Sequence, residues 1–289
     1  MSSPVLVAAA NGRTGRAVLR ALLARGMRTR ALVRRAGQVD GLLALGAHEC
    51  VLGDLEDPAT LAPAAAGCGT ALYIGPPMHP GERTMAANFL RAAESAGCAH
   101  FVYYSVVHPV CREIRHHRLK LEVEEEVVNG HLPYTILQPA RYMQHLEPLL
   151  PQVRDGVHAM PFDVDARFNV VDLEDVAEVT ARAVEDPRMR GGTFELAGPE
   201  ALSQRDMAAT LAGLLQRPVE ARALPLQALR ERALAAGASD DRVEQMLLMN
   251  RHYDRHGMLG SPLVLETLLG RPATCFEGYA RRVLGLAGR

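Results

Sequence analysis

At 289 residues with 48% apolar side chains, the chain can bury the core of one large α/β domain or two smaller ones. A formal net charge of −1 gives no electrostatic footprint for nucleic acid or an anionic membrane, and no apolar run reaches the about 18 residues of a spanning helix. Five scattered cysteines, never spaced Cys-x-x-Cys, fit reduced thiols better than disulfides or zinc; with no secretory signal pattern at the N-terminus, a cytoplasmic protein is expected.

In chain order, Val5–Ala9 reads as a buried strand and Gly15–Ala24 as an amphipathic helix. Strand signals at Arg28–Val33, Glu49–Leu52, Thr70–Ile74, His100–Ser105 and Tyr134–Gln138 then alternate with helix signals at Val39–Leu45, Ala59–Ala66, Gly81–Ala96 and Glu113–Val128. Alternation with short joints implies βαβ units and a parallel sheet. Gly26, Gly46, Gly97 and Gly130 stand just past four of these helices, where a left-handed glycine commonly ends a helix. Further on, Phe168–Val171 and Thr193–Leu196 look like strands, and Leu173–Val184 and Gln204–Leu215 look helical. The expected fold is α/β, a Rossmann-type doubly wound parallel sheet with a smaller helix-rich C-terminal substrate domain. The dinucleotide domain is expected over 1–145, completed by about 168–198, and the cap over 146–167 and 199–289.

The segment Asn11-Gly12-Arg13-Thr14-Gly15 opens the first helix and keeps the last two glycines of a G-x-x-G-x-x-G turn. Such a turn brings backbone N–H groups to a pyrophosphate seated at a helix N-terminus. Ala9 stands where the first glycine belongs; if that position needs a positive φ, alanine costs about 1 kcal/mol or more. At the end of the second strand, where an acidic residue would take a ribose 2′-hydroxyl, stand Arg34 and Arg35. Arginine there, with Arg13 in the turn, favours a 2′-phosphate and so NADP(H) over NAD(H).

Asp54 and Leu55 follow the third strand, where they could meet an adenine ring or simply form a turn. Gly75 and Pro76 end the fourth strand, where open α/β sheets build their ligand crevice. Ser105 ends the fifth strand, and His116 and Lys120 share a helix face at i, i+4. A hydride-transfer enzyme needs a proton donor and a cation; His116 could be the first and Lys120 the second. Alternatively, Lys120 pairs with Glu124 on a solvated face formed by the Glu122 to Glu126 run, and His116 is merely exposed. Tyr142 is a second candidate donor or a packing residue. His252 and His256 have metal-ligand spacing, but no third ligand accompanies them; solvated histidines around Tyr253 and Arg255 are expected, and no metal. Asp172 and Asp175 suit an N-cap and a first helical turn.

Ala-Asn-Gly-Arg-Thr-Gly (10–15), Gly-Asp-Leu (53–55), Tyr-Tyr-Ser-Val-Val-His-Pro (103–109), His-x-x-x-Lys (116–120) and Pro-Tyr-Thr-Ile-Leu-Gln-Pro-Ala-Arg-Tyr-Met-Gln (133–144), in order across about 4–200, together resemble the NmrA-like family of atypical short-chain dehydrogenase/reductases. The resemblance implies a Rossmann domain binding NADP(H) and a small substrate domain. It implies cofactor roles for Gly12, Arg13, Thr14, Gly15, Arg34, Asp54 and Lys120, with Pro139 to Tyr142 near the nicotinamide. His116 departs from the superfamily's Tyr-x-x-x-Lys, in which tyrosine donates the proton.

Two functions follow. One is an NADPH-dependent reductase of a small quinone, carbonyl or related electrophile. The other is a non-catalytic NADP(H) sensor acting through a protein partner. A quinone accepts hydride without a strongly placed acid, which suits a site lacking the tyrosine. Pocket residues are expected within Met143–Arg167 and Ala223–Met258, and an edge strand or exposed helix face leaves room for a homodimer.

Overall fold

The computed structural model describes residues 3–286. The apolar runs of the first half form β1 (Val5–Val7), β2 (Thr29–Val33), β3 (Glu49–Leu52), β4 (Thr70–Ile74), β5 (His100–Tyr104) and β6 (Tyr134–Pro139). The helices α1 (Arg13–Ala24), α2 (Val39–Leu43), α3 (Pro58–Ala65), α4 (Glu82–Ser95) and α5 (Arg115–Val128) alternate with them. Then come α6 (Leu150–Arg154), β7 (Val157–Met160), β8 (Phe168–Asn169), α7 (Leu173–Glu185), β9 (Gly192–Leu196) and β10 (Ala201–Leu202). The chain ends with α8 (Gln204–Leu215), β11 (Glu220–Ala223), α9 (Leu226–Ala235), α10 (Asp240–His256), α11 (Leu263–Leu269) and α12 (Phe276–Leu284).

Seven strands form one sheet in the order β3-β2-β1-β4-β5-β6-β9, a Rossmann-like arrangement. Every pairing from β3 through β6 is parallel. Val5 registers with Thr29 on one side and Thr70 on the other, so the order reverses between β1 and β4. In open α/β sheets the ligand crevice lies beyond the carboxyl ends of strands at such a reversal. β1, β4 and β5 are buried at every position, as helix-covered parallel strands require. Their core includes Leu6, Tyr73, Phe89, Phe101, Tyr103 and Ile136.

The described chain forms two compact units. The first runs through Val110 and includes His117–Gln138 and Val176–Phe194; the second comprises Cys111–His116, Pro139–Asp175 and the chain from Glu195 onward. In the second unit β7 pairs in parallel with β11, β8 pairs antiparallel with β10, and Phe162, Phe168 and Tyr253 pack their rings together. Among the described residues no helix is long and apolar enough to cross a membrane.

Gly26, Gly46 and Gly97 take the left-handed backbone expected beyond a helix, at φ +70°, +107° and +69°. Gly130 does not: its N–H donates to the Val127 carbonyl at 3.3 Å, closing a tighter last turn that needs no positive φ. The strand expected over Phe168–Val171 stops at Asn169, because Val171 leaves the ladder to bridge Tyr142. Tyr253 is buried among the aromatic rings rather than in a solvated histidine face.

Candidate functional site

The turn after β1 is built on strain and close approach. Ala9 has φ +49°, the left-handed region that favours glycine, and its carbonyl accepts from Gly12 N–H at 2.9 Å. A Cβ at Gly15 would stand 2.4 Å from the Ala9 oxygen and 2.7 Å from the Ala10 Cα, so only glycine fits there. Gly12 begins α1 with no side-chain cap, and no acidic residue lies in the first turn. No capping side chain and no first-turn acid thus competes for the positive end of the helix dipole. Asn11, Gly12 and Arg13 are exposed and Thr14 is half-buried; Arg34 and Arg35 are exposed just past β2. These groups have the donor chemistry for a pyrophosphate and a further phosphate.

Asp54 forms a turn: its Oδ1 accepts from Glu56 N–H at 3.0 Å, and its own N–H donates to Thr60 Oγ1 at 2.9 Å. Leu55 is buried in the core of the first unit, and its carbonyl accepts from Asn88 Nδ2 at 3.0 Å.

The region around Gly75 is organised by Glu82, a residue the sequence pattern does not single out. A Cβ on Gly75 would come within 2.3 Å of the Glu82 carboxylate, so the glycine makes room for that acid; Pro76, next in the chain, is half-buried. Glu82 and Lys120 are both buried, and Lys120 Nζ donates to Glu82 Oε1 at 2.6 Å and to the Tyr104 carbonyl at 3.1 Å. The ammonium lies 5.2 Å from the Tyr103 ring centroid. Lys120 is thus neither on a solvated face nor paired with Glu124. Glu124 is itself buried and accepts from Gln138 Nε2 at 2.8 Å; burial pushes its carboxyl up, opposed by Ser105, Gln138 and Lys120. Ser105 is buried beside it at the end of β5, and its hydroxyl is among the groups holding that carboxyl down.

In the second unit the chain beyond Pro139 is pinned by backbone bonds. Ala140 N–H donates to the Leu196 carbonyl at 2.9 Å, and Met143 N–H and the Arg141 carbonyl bond both polar groups of Val171 at 2.9 Å. Arg141, Tyr142, Met143 and His145 line a narrow pocket, about 20 Å³ inside and about 400 Å³ with its open mouth, together with His158, Met160, Phe162 and Phe168. Nothing from Ala223–Met258 lines it; Gln204, Met207 and Phe276 complete the wall instead. His116, at the start of α5, is half-buried and not among the lining residues.

The sequence profile of the NmrA-like family matches residues 1–279. The chain belongs to the NmrA-like family. An NAD(P)H azoreductase of Xenophilus azovorans is 28% identical over 279 residues, covering 96% of each chain. A (4-alkanoyl-5-oxo-2,5-dihydrofuran-3-yl)methyl phosphate reductase of Streptomyces griseus is 28% identical over 282 residues, again 96% of each. The crystal structure of an NADPH-dependent quinone oxidoreductase of Escherichia coli, complexed with NADPH, has the same fold. It superposes with a TM-score of 0.85 at 21% identity over 97% of this chain and 99% of that one.

Other polar residues of this NmrA-like chain have structural work. Asp172 Oδ1 accepts from Glu174 N–H, the expected cap, and also from Gln144 Nε2 at 2.7 Å, while its second oxygen takes Arg282 at 2.6 Å. Asp175 holds Arg271 and the Thr274 backbone N–H. His252 stacks 4.8 Å from His256 and lies 3.6 Å from a Glu113 oxygen; among the described residues no group of three or more His, Cys, Asp or Glu is placed to hold a metal. His158 and Gln204, both buried on the pocket wall, are marked by nothing in the sequence pattern; Arg141 falls within the Pro139 to Tyr142 segment but is not singled out there. Arg141 lies inside a motif that carries the family resemblance, but nothing in its spacing marks it as a pocket residue.

Proposed function

We propose that this NmrA-like chain is an NADPH-dependent oxidoreductase that reduces a small quinone, carbonyl or related electrophile. The observation that carries the reading is the strained Ala9–Gly15 turn leading into an uncapped, acid-free helix N-terminus. Arg13 stands in that turn and Arg34 at the end of the next strand. An anion is the natural occupant of such a terminus, and two arginines suit a 2′-phosphate. The dinucleotide, when bound, supplies the hydride.

The residues divide the remaining tasks by their chemistry. The N–H groups at the start of α1, beyond Gly12, would hold the pyrophosphate, and Arg13 and Arg34 the 2′-phosphate. Lys120 cannot swing freely: Glu82 and the Tyr104 carbonyl fix its ammonium, which makes it a positioned charge rather than a mobile one. The proton comes from Tyr142, His116 or water. Tyr142 has the stronger claim in one respect, because it lines the pocket whose wall also carries His158 and Gln204, and His116 does not.

The relatives with named activities are reductases, which favours turnover over sensing. Purified protein with NADPH is to be screened against quinones, aldehydes, ketones and enones by loss of nicotinamide absorbance. Turnover with at least one class, quinones first, is expected. Measurable NADPH binding with no turnover in any class would contradict the proposal.

A further inference from the structure

The pocket of the second unit contains a cation that its own chain does not neutralise. The Arg141 guanidinium lies 5.0 Å from the Phe162 ring centroid and 5.6 Å from that of Phe168, and it donates to the Met160 sulfur at 3.6 Å. Among the described residues no carboxylate pairs with it. Burial pulls the guanidinium down to about 10, so it is still charged at neutral pH.

Beside it on the pocket wall, His158 is 3% exposed, and neither ring nitrogen has a hydrogen-bond partner. Gln204 is 2% exposed; its amide nitrogen donates to the Phe162 carbonyl at 2.6 Å, but Oε1 has no partner. Buried polar groups are almost always hydrogen-bonded, so two such residues on one wall, beside a half-buried cation with no carboxylate, point to a ligand that satisfies them. The rest of the wall is apolar, with Leu146, Leu149, Met207 and Phe276.

We propose that this pocket recognises an anionic head group, a carboxylate, sulfonate or phosphate, carried on a planar apolar body. The guanidinium would bind the anion in a charge-assisted pair, a neutral imidazole N–H would add a second donor, and Gln204 Oε1 would accept from a hydroxyl or N–H on the body. Phe162 and Phe168 already hold the guanidinium plane in place, so little ordering is needed on binding. The assignment rests on the reductase reading and narrows it: preferred substrates are anionic aromatics rather than neutral ones.

The test is calorimetric titration of the full chain, with and without NADPH, using 2-naphthalenesulfonate and its neutral isostere 2-naphthalenesulfonamide. The sulfonate should bind about 10-fold tighter or more. In Arg141→Met the gap should close to within about twofold, with the sulfonamide unaffected. Equal binding of the two probes to the wild-type protein overturns the proposal, as does a gap that persists in Arg141→Met. The wild-type comparison stands whether or not the variant folds. Neither probe accepts hydride, so the two readings fail separately. A sulfonate preference without NADPH oxidation by any electrophile removes the reductase and keeps the anion pocket; turnover with equal probe binding removes the pocket alone.

Discussion

Lys120 is a buried cation and Arg141 a half-buried one, and the chain treats them in opposite ways. Lys120 is matched inside its own unit by Glu82 at 2.6 Å and by a backbone carbonyl, with Gly75 leaving space for the acid. Arg141 meets aromatic faces and a thioether, and no acid. A cation whose charge is balanced by the fold belongs to the framework and can position what binds beside it. A cation whose charge is left for something else to balance is a recognition element. Desolvating a charge costs several kcal/mol unless a partner compensates, so the second arrangement persists only where its use outweighs that cost.

The largest expected effect comes from breaking the balanced pair. Glu82→Gln leaves the Lys120 ammonium buried without its carboxylate and should cost about 3–5 kcal/mol, read by chemical denaturation. A loss under about 1 kcal/mol would show that the Tyr104 carbonyl and the Tyr103 ring suffice to hold the ammonium, and that the pair is not framework. Acid comes next. Burial, with Arg141 nearby, lowers His158 from an ordinary 6.5 to about 4, so in that window the unfolded chain holds a proton that the folded one refuses. Stability should fall as pH drops from about 6.5 to about 4, by up to about 3 kcal/mol from this residue. His100, lowered to about 4 mainly by burial, adds a loss of the same sign, and the raised Glu124 carboxyl opposes both. Thermal melts across that range in wild type and His158→Phe would show it; identical slopes would refute it.

Gly75→Ala should cost about 1–3 kcal/mol, since its Cβ would press on a carboxylate that Lys120 pins, and crystal structures of the variant should show the pair displaced. The smallest effect is expected from Arg141→Met. Removing a half-buried charge that no acid compensates, while keeping the hydrophobic volume, should leave stability unchanged or raised by up to about 1 kcal/mol. A large destabilisation there would mean that Arg141, like Lys120, is framework.

The strand and helix alternation of the first half was legible because buried parallel strands are unbroken apolar runs and glycines punctuate the helices; Gly26, Gly46 and Gly97 sit where the pattern puts them. The glycine turn was legible for the same reason, down to the strain at Ala9. Partners distant in sequence were not. Glu82 lies 38 residues from Lys120, and no local pattern links an acid at the start of one helix to a lysine on another. Glu124 sits in an acidic run that reads as solvated, yet one of its members turns inward to Gln138. Arg141 was hidden by its type, because an arginine in a sequence is read as surface until tertiary packing places it under aromatic rings.

The central claim is that the Ala9–Gly15 turn, with Arg13 and Arg34, is built for a dinucleotide carrying a 2′-phosphate. Titrating NADPH and NADH into wild type and Arg34→Asp, by nicotinamide fluorescence, tests it most directly. NADPH should bind about 10-fold tighter than NADH or more, and the preference should vanish or invert in the variant. Equal affinities in wild type, or an unchanged preference in Arg34→Asp, would contradict it.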